Sequence, residues 1–343
     1  MQCTLYIPGL FGQAGPQLTA LPDARLPGLS MLLRRARIHR LDATGTTAWL
    51  CSAWGLEKQR DFPVAALTLP LDGGVTGDAC WMRFDPAHVD VGRSGLTLIE
   101  PSLLDITPDE AAALTATINE HLARDGLTVE ARTPSRWYVK LPTPPALETV
   151  PLEDAAGRDI AAYQPHGHDA LHWHGVLNEL QMLLHQHPVN GAREAGGALT
   201  INSVWPWGCG TPVHVPGHPY SAVWTQDILA QALATHSGAD TGAPPPDAST
   251  WLNARAKAGH GHDLVMLTDA GRLIRYGDES SWFDQLLAMD TRWIEPLTKA
   301  VASGRLAQFN IVAQGETALW RLETRRPDLY ALWRRRRTFA DFH

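Results

Sequence analysis

Several features that mark other classes of protein are missing from this sequence. Its four cysteines, at positions 3, 51, 80 and 209, form no C-x-x-C motif and no closely spaced disulfide framework, which is typical of a reducing compartment. The opening residues MQCTLYIPGL have neither the basic start nor the long apolar run of a secretory signal. No stretch approaches the roughly 18 apolar residues of a membrane span. We therefore expect a cytoplasmic protein without membrane association.

Positive charge is also scarce. The chain has 29 Lys and Arg residues against 36 Asp and Glu residues, so its net charge is −7. It therefore lacks the general basic surface of a nucleic-acid-binding protein, and we expect no nucleic-acid partner. The exception is the arginine run at 334–337, which is most simply a solvated or self-docking tail. The phosphate loops G-x-x-x-x-G-K-[ST] and G-x-G-x-x-G and the nucleophile motif G-x-S-x-G are absent as well.

What is present is an alternation of strand-like and helix-like segments. Strand-like runs occur at 3–7, 263–267 and 309–313, and an amphipathic helix is predicted at 169–187. With 343 residues, of which 44% are hydrophobic, the chain can bury a full-sized core. The alternation predicts an α/β fold with a mostly parallel sheet that is covered by helices on both faces. The apolar run at 65–71 is predicted as a further strand.

A smaller α/β segment interrupts this alternation. Thr107-Pro108-Asp109-Glu110 has the form of a capping box and starts a helix, and strand-like runs follow at 127–132 and 136–141. The Pro-rich, acidic segment 141–154 is typical of a linker, so we expect it to cross between domains. The sequence therefore predicts an inserted cap at 86–160 within a core formed by residues 1–85 and 161–343.

Two groups of side chains could bind a metal. The histidines at 166–174 include His168 and His172 at ligand spacing, but no Cys or Glu completes a known motif, and solvated imidazoles are the simpler interpretation. Four carboxylates at strand ends or turns could hold two hard cations, although aspartate is also common in ordinary turns. These carboxylates are Asp72, Asp85, Asp263 and Asp269. Sequence spacing does not decide between the two roles.

The segment Gly208-Cys209-Gly210 also leaves two interpretations open. It follows the apolar, strand-like run 199–207, so its backbone amides could bind an anion. Equally, its glycines could supply the positive φ of a tight turn.

The stretch HQHPVNGAREAGGALTINSVWPWGCG, residues 185–210, resembles a signature of the cofactor-independent phosphoglycerate mutases of the archaeal type. In that family a helix ends in HPVN, an arginine follows, and a strand carries an asparagine before W-x-W-G-x-G. The matching residues are His187, Pro188, Val189, Asn190, Arg193, Asn202, Trp205, Trp207, Gly208 and Gly210. The segments 104–122 and 282–300 resemble the family's cap helix and a late helix that carries Asp290. LNELQMLLHQHPVN and the Trp- and Arg-rich C-terminal region are most similar to a bacterial subgroup of regulatory proteins of the Rpf type.

The resemblance implies a specific architecture and chemistry. The family belongs to the alkaline-phosphatase superfamily, which combines an α/β core with a mobile inserted cap. It implies a two-metal phosphate site and a Ser or Thr nucleophile. In such a site the metals neutralise the phosphate oxygens and stabilise the attacking and leaving oxygens.

The sequence departs from the family where the metals should bind. The first strand ends in Pro8-Gly9, where the family has Asp-Gly. Ser30 is the only hydroxyl near the nucleophile position, and it lies inside a helical pattern. After the strand at 263–267 come Asp269 and Asp278 but no histidine, and Gln314-Gly315 replaces a late Asp-His pair.

These departures favour a divergent or non-catalytic member with a degenerate metal site. Such a protein would act by binding a phosphorylated small molecule or a protein partner, and we expect no cofactor. The alternative is an active, metal-dependent 2,3-bisphosphoglycerate-independent phosphoglycerate mutase or phosphatase that uses Mn, Mg or Zn. On the first interpretation we predict no tightly held pair of divalent metals and no appreciable mutase activity.

Seven residues are candidate ligand-binding groups. We expect Asp72, Asp85, His88 and Arg136 near strand ends in the cleft between core and cap, while Asn190, Arg193 and Asn202 come from the signature. Those three more simply hold the backbone by satisfying buried loop groups. Arg193 should be buried and paired, with Glu194 or a C-terminal carboxylate as its partner.

Overall fold

In the computed structural model the chain divides into two units. Met1–Gly55 and Val215–His343 form the core unit, and Leu56–His214 forms the inserted unit. The structure describes residues 1–12, 25–42, 45–92, 95–259, 261–315, 318–331, 333–334 and 337–342.

The elements of both units are numbered here in chain order. The strands are β1 (Gln2–Ile7), β2 (Arg37–Leu41), β3 (Cys80–Gly92), β4 (Gly95–Ile99), β5 (Thr128–Thr133), β6 (Arg136–Leu141), β7 (Leu147–Glu148), β8 (His166–Gly167), β9 (Ser203–Gly210), β10 (Ala222–Trp224), β11 (Asp240–Gly242), β12 (His262–Met266), β13 (Gln308–Gln314) and β14 (Leu319–Arg325). The helices are α1 (Pro27–Arg35), α2 (Thr46–Ala53), α3 (Val64–Thr68), α4 (Pro108–Leu122), α5 (Leu152–Ala155), α6 (Ala170–His185), α7 (Pro188–Ala195), α8 (Ile228–Ser237), α9 (Ala248–Ala258), α10 (Asp269–Arg275), α11 (Glu279–Met289) and α12 (Glu295–Ala302).

The core unit is built on one seven-stranded mixed sheet in the order β11-β10-β12-β1-β13-β14-β2. The first five strands are parallel, and β14 runs antiparallel to both β13 and β2. β1 lies in the middle, where Leu5 is opposite Val265 on one side and Ile311 on the other. The mostly parallel sheet predicted from the sequence is therefore confirmed for this unit, with an antiparallel edge that was not predicted.

Helices cover both faces of this sheet, as the sequence predicts. On one face Leu5 and Ile7 enter a large apolar cluster that includes residues of α1, α9, α11 and α12. On the other face the Tyr6 ring stacks on Trp49 of α2 at 4.5 Å between centroids. Among the described residues, the helices are too short or too polar for any of them to cross a bilayer.

The inserted unit has an antiparallel sheet in the order β4-β3-β6-β5, with β9 also paired to β3. Its apolar core joins this sheet to two helices, through Leu114 and Ile118 of α4 and Trp173 and Leu180 of α6. The capping box predicted for α4 is present, because Glu110 N donates to Thr107 Oγ1 at 3.2 Å and the Glu110 carboxylate accepts from Thr107 N at 2.8 Å.

The inserted unit is larger than the cap expected at 86–160. A boundary after residue 85 would cut β3, and α6, α7 and β9 share one core with the sheet of this unit. The segment 141–154 is not a crossing between units, because it lies inside the inserted unit and β7 within it pairs with β8. Proline and acidic residues indicate irregular backbone, but they do not indicate which neighbours that backbone contacts.

The strand predicted at 65–71 is wrong, because residues 64–68 form helix α3. Ala65 and Leu69, four residues apart, both pack into a small cluster with Trp81 and Tyr138. Such a short apolar run has no decisive period, so tertiary contacts select its conformation.

Asp290 provides the cap that α1 lacks in its own sequence. Its buried carboxylate accepts hydrogen bonds from the backbone amides of Gly28 at 3.0 Å and Leu29 at 2.6 Å. Asp290 starts a π-helical turn, Asp290–Ile294, that joins α11 to α12. α1 approaches this turn so closely that a Cβ on Gly28 would lie 2.5 Å from Glu295 N. Burial raises the pKa of Asp290 above its ordinary value, although the two amide hydrogen bonds lower it.

We predict that Asp290→Ala lowers the free energy of unfolding by about 2–4 kcal/mol, because it leaves two buried amide donors unpaired at about 1–3 kcal/mol each. Urea unfolding followed by tryptophan fluorescence measures the change. Asp284→Ala, at an exposed position of α11, is the matched control and should stay within about 0.5 kcal/mol of the parent. Equal effects from the two variants would contradict the capping role.

Candidate functional site

Asp85 of β3 is fully buried and saturated by donors from the protein. Its Oδ1 accepts from Arg83 Nη2 at 2.8 Å, Arg83 Nε at 3.1 Å and the Trp137 backbone amide at 3.2 Å. Its Oδ2 accepts from Trp207 Nε1 at 2.7 Å. The side chain therefore holds β3, β6 and β9 together, which is a structural role.

Asp72 and Arg136 form a two-point ion pair. Arg136 Nε and Nη2 donate to the Asp72 carboxylate at 2.8 and 2.5 Å, and Tyr138 Oη donates to it at 2.6 Å. Burial alone would raise the pKa of Asp72, but the hydrogen bonds from Arg136 and Tyr138 and the charge of Arg136 lower the pKa below its ordinary value. The carboxylate is thus kept ionised by its neighbours.

Arg83 joins these two carboxylates into one network. Its guanidinium carbon lies 5.1 Å from the centre of the Tyr138 ring and 5.2 Å from that of the Trp207 ring. The structure therefore brings together three of the predicted ligand-binding residues, Asp72, Asp85 and Arg136. Asp72 pairs with Arg136, Asp85 pairs with Arg83, and each carboxylate also accepts from an aromatic side chain.

The lowered pKa of Asp72 predicts a pH-dependent contribution to stability. The contribution is present above the ordinary carboxyl pKa, about 4, and is lost as the pH falls through the lower folded-state pKa. In urea unfolding from pH 7 to pH 2.5, the parent should therefore lose stability in acid more steeply than Asp72→Asn. Asp78→Asn, at an exposed position of the same turn region, should keep the parent profile. Identical slopes for the parent and Asp72→Asn would contradict the prediction.

His88 and Asn202 connect β3 to the residues before β9. His88 Nδ1 lies 2.9 Å from Thr200 O. The Asn202 side chain accepts from Val89 N at 2.7 Å and donates to Val89 O at 3.0 Å, so it copies the hydrogen bonding of a neighbouring strand. Both side chains contact backbone groups.

Asn190 has the same kind of role. Its Nδ2 donates to Leu184 O at 2.8 Å and Ile201 O at 2.9 Å, and its Oδ1 accepts from Ile201 N at 2.7 Å. It therefore ties the end of α6 to the chain before β9. The helix predicted at 169–187 extends too far, because α6 ends at His185. His187 is instead the N-cap of α7, and its side chain accepts a hydrogen bond from Val189 N at 3.2 Å.

Arg193 is buried and paired, as predicted, but its partner is different. It donates to Glu110 at 2.9 Å, to Leu199 O at 2.7 Å and to Leu104 O. Glu194, one of the two partners expected from the sequence, is exposed on α7. Glu110 is 83 residues away along the chain, so only the packing of α7 beside α4 reveals the pair.

We predict that Arg193→Ala lowers the free energy of unfolding by about 3–5 kcal/mol, because it leaves Glu110, the buried Leu104 carbonyl and the Leu199 carbonyl without their donor. Chemical denaturation measures this loss. Glu194→Ala is the matched control on the same helix and should change stability by less than about 0.5 kcal/mol. If Glu194→Ala were the more damaging variant, the assignment of Glu110 as the partner would fail.

Of the two interpretations of Gly208-Cys209-Gly210, the structure supports the one in which a glycine supplies a positive φ. Gly208 has φ +63°. A Cβ on Gly208 would lie 2.8 Å from Val64 Cβ, and one on Gly210 would lie 2.6 Å from Pro63 Cβ. The Gly208 amide donates to Thr149 Oγ1 at 3.2 Å. The glycines are needed because α3 packs directly on β9.

The residues proposed as metal ligands do not form a metal site in the part of the chain that the structure describes. No group of three His, Cys, Asp or Glu residues is placed to hold an ion there. Asp263 Oδ2 accepts from Trp224 Nε1 at 3.1 Å and Trp251 Nε1 at 3.0 Å. Among the histidines at 166–174, His168 pairs with Asp169 at 2.8 Å and His174 contacts Pro165 O at 2.9 Å.

The strand ends where the resemblance places metal ligands are closed by packing. Pro8 is buried and lies against Gly271, and a Cβ on Gly9 would lie 2.8 Å from Gly271 Cα. A Cβ on Gly315 would overlap the carbonyl oxygen of Phe342. Ser30 lies within α1. The residues at these positions therefore do not fit a pair of divalent metals.

Aromatic rings fill the space beside these strand ends. The Phe342 ring stacks on Phe11 at 4.1 Å between centroids and meets Trp320 edge-on at 5.4 Å. Phe339 lies edge-on to Phe11 at 6.1 Å. The last described turn of the chain thus contributes to the core at the end of β1 and β13.

The core unit has a cavity of about 230 Å³ at the carboxyl ends of β10, β11 and β12. Parallel sheets commonly bind ligands at this edge. Asp269 and Arg292 are its charged groups, and both are exposed. The lining residues are Gln226, Pro244, Pro245, Pro246, Met266, Leu267, Thr268, Asp269, Gln285, Ala288, Met289, Arg292 and Trp293.

Sequence analysis singled out only Asp269 of these lining residues. Gln285 Nε2 lies 3.5 Å from the Asp269 carboxylate, so α11 contacts the start of α10 here. Arg292 was missed because it lies in the π-helical turn, whose extra residue shifts side chains away from regular helical spacing. The residues Asp290 and Thr291 that precede Arg292 do not form a recognisable motif for a π-helical turn.

Comparisons with known proteins identify similar folds only. No protein-family model matches the chain, and no curated protein matches it. Among solved structures, the PH0037 protein from Pyrococcus horikoshii has a TM-score of 0.56 at 14% identity, over 94% of this chain and 87% of that one. This likeness shows a shared fold. The cofactor-independent phosphoglycerate mutase from Thermoplasma acidophilum has a TM-score of 0.45 at 15% identity, over 94% and 89% of the two chains.

Proposed function

We propose that this protein is a divergent, non-catalytic phosphoglycerate mutase-like protein that binds a small phosphorylated hydroxy acid. The binding site is the cavity at the carboxyl ends of β10, β11 and β12. One observation carries the proposal: Arg292 and Asp269 line the same small cavity at the edge of a parallel sheet. The charge and size of this cavity support the class of ligand, and the resemblance of residues 185–210 to the mutase signature is the reason for testing 3-phosphoglycerate first.

The cavity lining suits such a ligand. The guanidinium of Arg292 can donate two parallel hydrogen bonds to a phosphate or carboxylate group. The carboxylate of Asp269 can accept from a ligand hydroxyl, and Gln226, Thr268 and Gln285 offer neutral donors and acceptors. A volume of about 230 Å³ is below the roughly 300–1,000 Å³ of drug-sized sites, which favours a small metabolite.

The absence of catalysis in this proposal follows from the closed strand ends. Pro8, Gly9 and Gly315 offer no charged oxygen or imidazole ligand, and a phosphate-bridging metal pair needs such ligands. Without a metal, a serine hydroxyl such as that of Ser30 stays protonated at neutral pH and is a poor nucleophile. On this proposal the ligand is bound and released unchanged, and the role is regulatory. Binding of a protein partner stays a prediction.

We predict saturable binding of 3-phosphoglycerate in a calorimetric titration. Arg292→Ala should weaken the affinity at least about tenfold, because it removes charge-assisted hydrogen bonds worth about 1.5–3 kcal/mol. Arg272→Ala is the matched control, since Arg272 is an exposed arginine of α10 outside the cavity lining, and it should bind like the parent. Glycerate, which lacks the phosphate, should bind more weakly than 3-phosphoglycerate.

The same protein is then assayed for mutase activity with added Mn, Mg or Zn. If the proposal is right, conversion of 3-phosphoglycerate with the protein present is no faster than in a control sample without protein. Metal-dependent turnover that Asp269→Ala abolishes would establish the active enzyme instead. Unchanged binding by Arg292→Ala, or no binding of 3-phosphoglycerate at all, would remove the cavity as the ligand site.

A further inference from the structure

Two cysteines lie in sulfur–sulfur contact inside the inserted unit. Cys80 begins β3 and Cys209 lies near the end of β9, and their Sγ atoms are 3.5 Å apart and share a hydrogen bond. β3 and β9 are antiparallel neighbours, and both cysteines belong to the same apolar cluster. A register shift in the β3–β9 pairing between Trp81 and Arg83 marks a local irregularity in the ladder. This pair could not be predicted from the sequence, because 129 residues separate the two positions.

The surroundings make the two thiols chemically different. The hydrogen bond with Cys209 lowers the pKa of Cys80 below its ordinary value. The same hydrogen bond, followed by burial and by the nearby charges of Cys80 and Asp61, raises the pKa of Cys209. The Asp61 carboxylate also accepts from the Cys209 backbone amide, which fixes it beside this residue. The opposite directions of these two pKa shifts favour Cys80 as the thiol that ionises first.

The cysteine pair lies close to the exposed turn that precedes β3. Cys80 and Cys209 are buried, with 4% and 7% of their residue surfaces exposed. Cys80 comes two positions after the exposed residue Asp78 and three after the exposed Gly77. Large disulfide reagents would need the strand to open, whereas hydrogen peroxide is little larger than water.

We propose that Cys80 and Cys209 form a reversible disulfide when the protein meets a hydroperoxide. The Cys80 thiolate attacks one peroxide oxygen, the O–O bond breaks, and a sulfenic acid forms with release of hydroxide. The Cys209 sulfur then attacks the Cys80 sulfur, the S–O bond breaks, and water leaves with the Cys209 proton. The proton that Cys80 lost on ionising combines with the released hydroxide, so in sum two thiols and one hydrogen peroxide give one disulfide and two waters.

The disulfide would connect the first residue of β3 to the penultimate residue of β9. The sulfur atoms need to approach from 3.5 Å to about 2.05 Å when the disulfide forms. The cross-link closes a long loop of the inserted unit, and long loops gain most from closure because the unfolded chain loses most freedom. The oxidised protein is therefore expected to be the more stable form. This inference does not depend on the proposed ligand.

The test treats reduced, full-length protein with an equimolar amount of hydrogen peroxide, followed by alkylation in denaturant and peptide mass mapping. Alkylatable thiols should fall from four to two per chain, and one cross-linked peptide should join Cys80 to Cys209. The intact mass should fall by two hydrogens. The melting temperature should rise and return to its starting value with dithiothreitol.

Variants assign the linkage. Cys80→Ser and Cys209→Ser should each abolish the cross-link, whereas Cys51→Ser, at a buried cysteine of the core unit, should keep it. The wild-type peptide map decides the matter even where a variant fails to fold. Four alkylatable thiols after treatment, a gain of oxygen without a cross-link, or links only between chains would each overturn the proposal.

Discussion

Much of this structure depends on one constraint, which is that a buried charged side chain must form its hydrogen bonds and ion pairs with groups of the protein. Asp290 has no free surface from which to reach water, so its carboxylate takes the first amides of α1, and this contact joins α1 to the π-helical turn. Asp85 takes donors from β3, β6 and β9 and thereby fixes the sheet of the inserted unit. Arg193 takes carbonyls and Glu110 and fixes α7 beside α4. A buried ion without such partners would cost several kcal/mol. The partners therefore determine which elements lie side by side.

The sequence predicts those parts of the fold that depend on local chemistry. The strands around β1 follow from apolar runs, and the start of α4 follows from the Thr107–Glu110 capping box, whose contacts span three residues. Prediction from the sequence fails where contacts between distant residues determine the local conformation. Helix α3 was predicted as a strand because its short apolar run fits either period, and packing against Trp81 and Tyr138 selects the helix. The boundaries of the inserted unit were missed because β3 and β9 pair across more than a hundred residues.

The candidate site shows the same division. Sequence analysis found charged residues at turns, but it could not show which of them are already paired. Asp72 and Arg136 were each candidates for a ligand, and they satisfy one another. Asp269 was correctly placed after a strand of the core sheet, whereas Arg292 was missed because a π-helical turn directs it. Exposed charges that converge on one cavity are a property of the folded chain, and no spacing along the sequence encodes it.

The segment 185–210 and the strand ends at Pro8 and Gly315 belong to different units, so they are evidence about different parts of the molecule. Asn190, Arg193 and Asn202 bind backbone groups within the inserted unit, so these residues of the signature have a structural role there. A chain can keep such residues while the strand ends of its core unit change. Pro8 and Gly315 lie at strand ends of the core unit, where Pro8 packs against Gly271 and Gly315 against Phe342. Resemblance in the signature therefore supports the architecture, while the chemistry must be judged from the strand ends and from the cavity that holds Asp269 and Arg292.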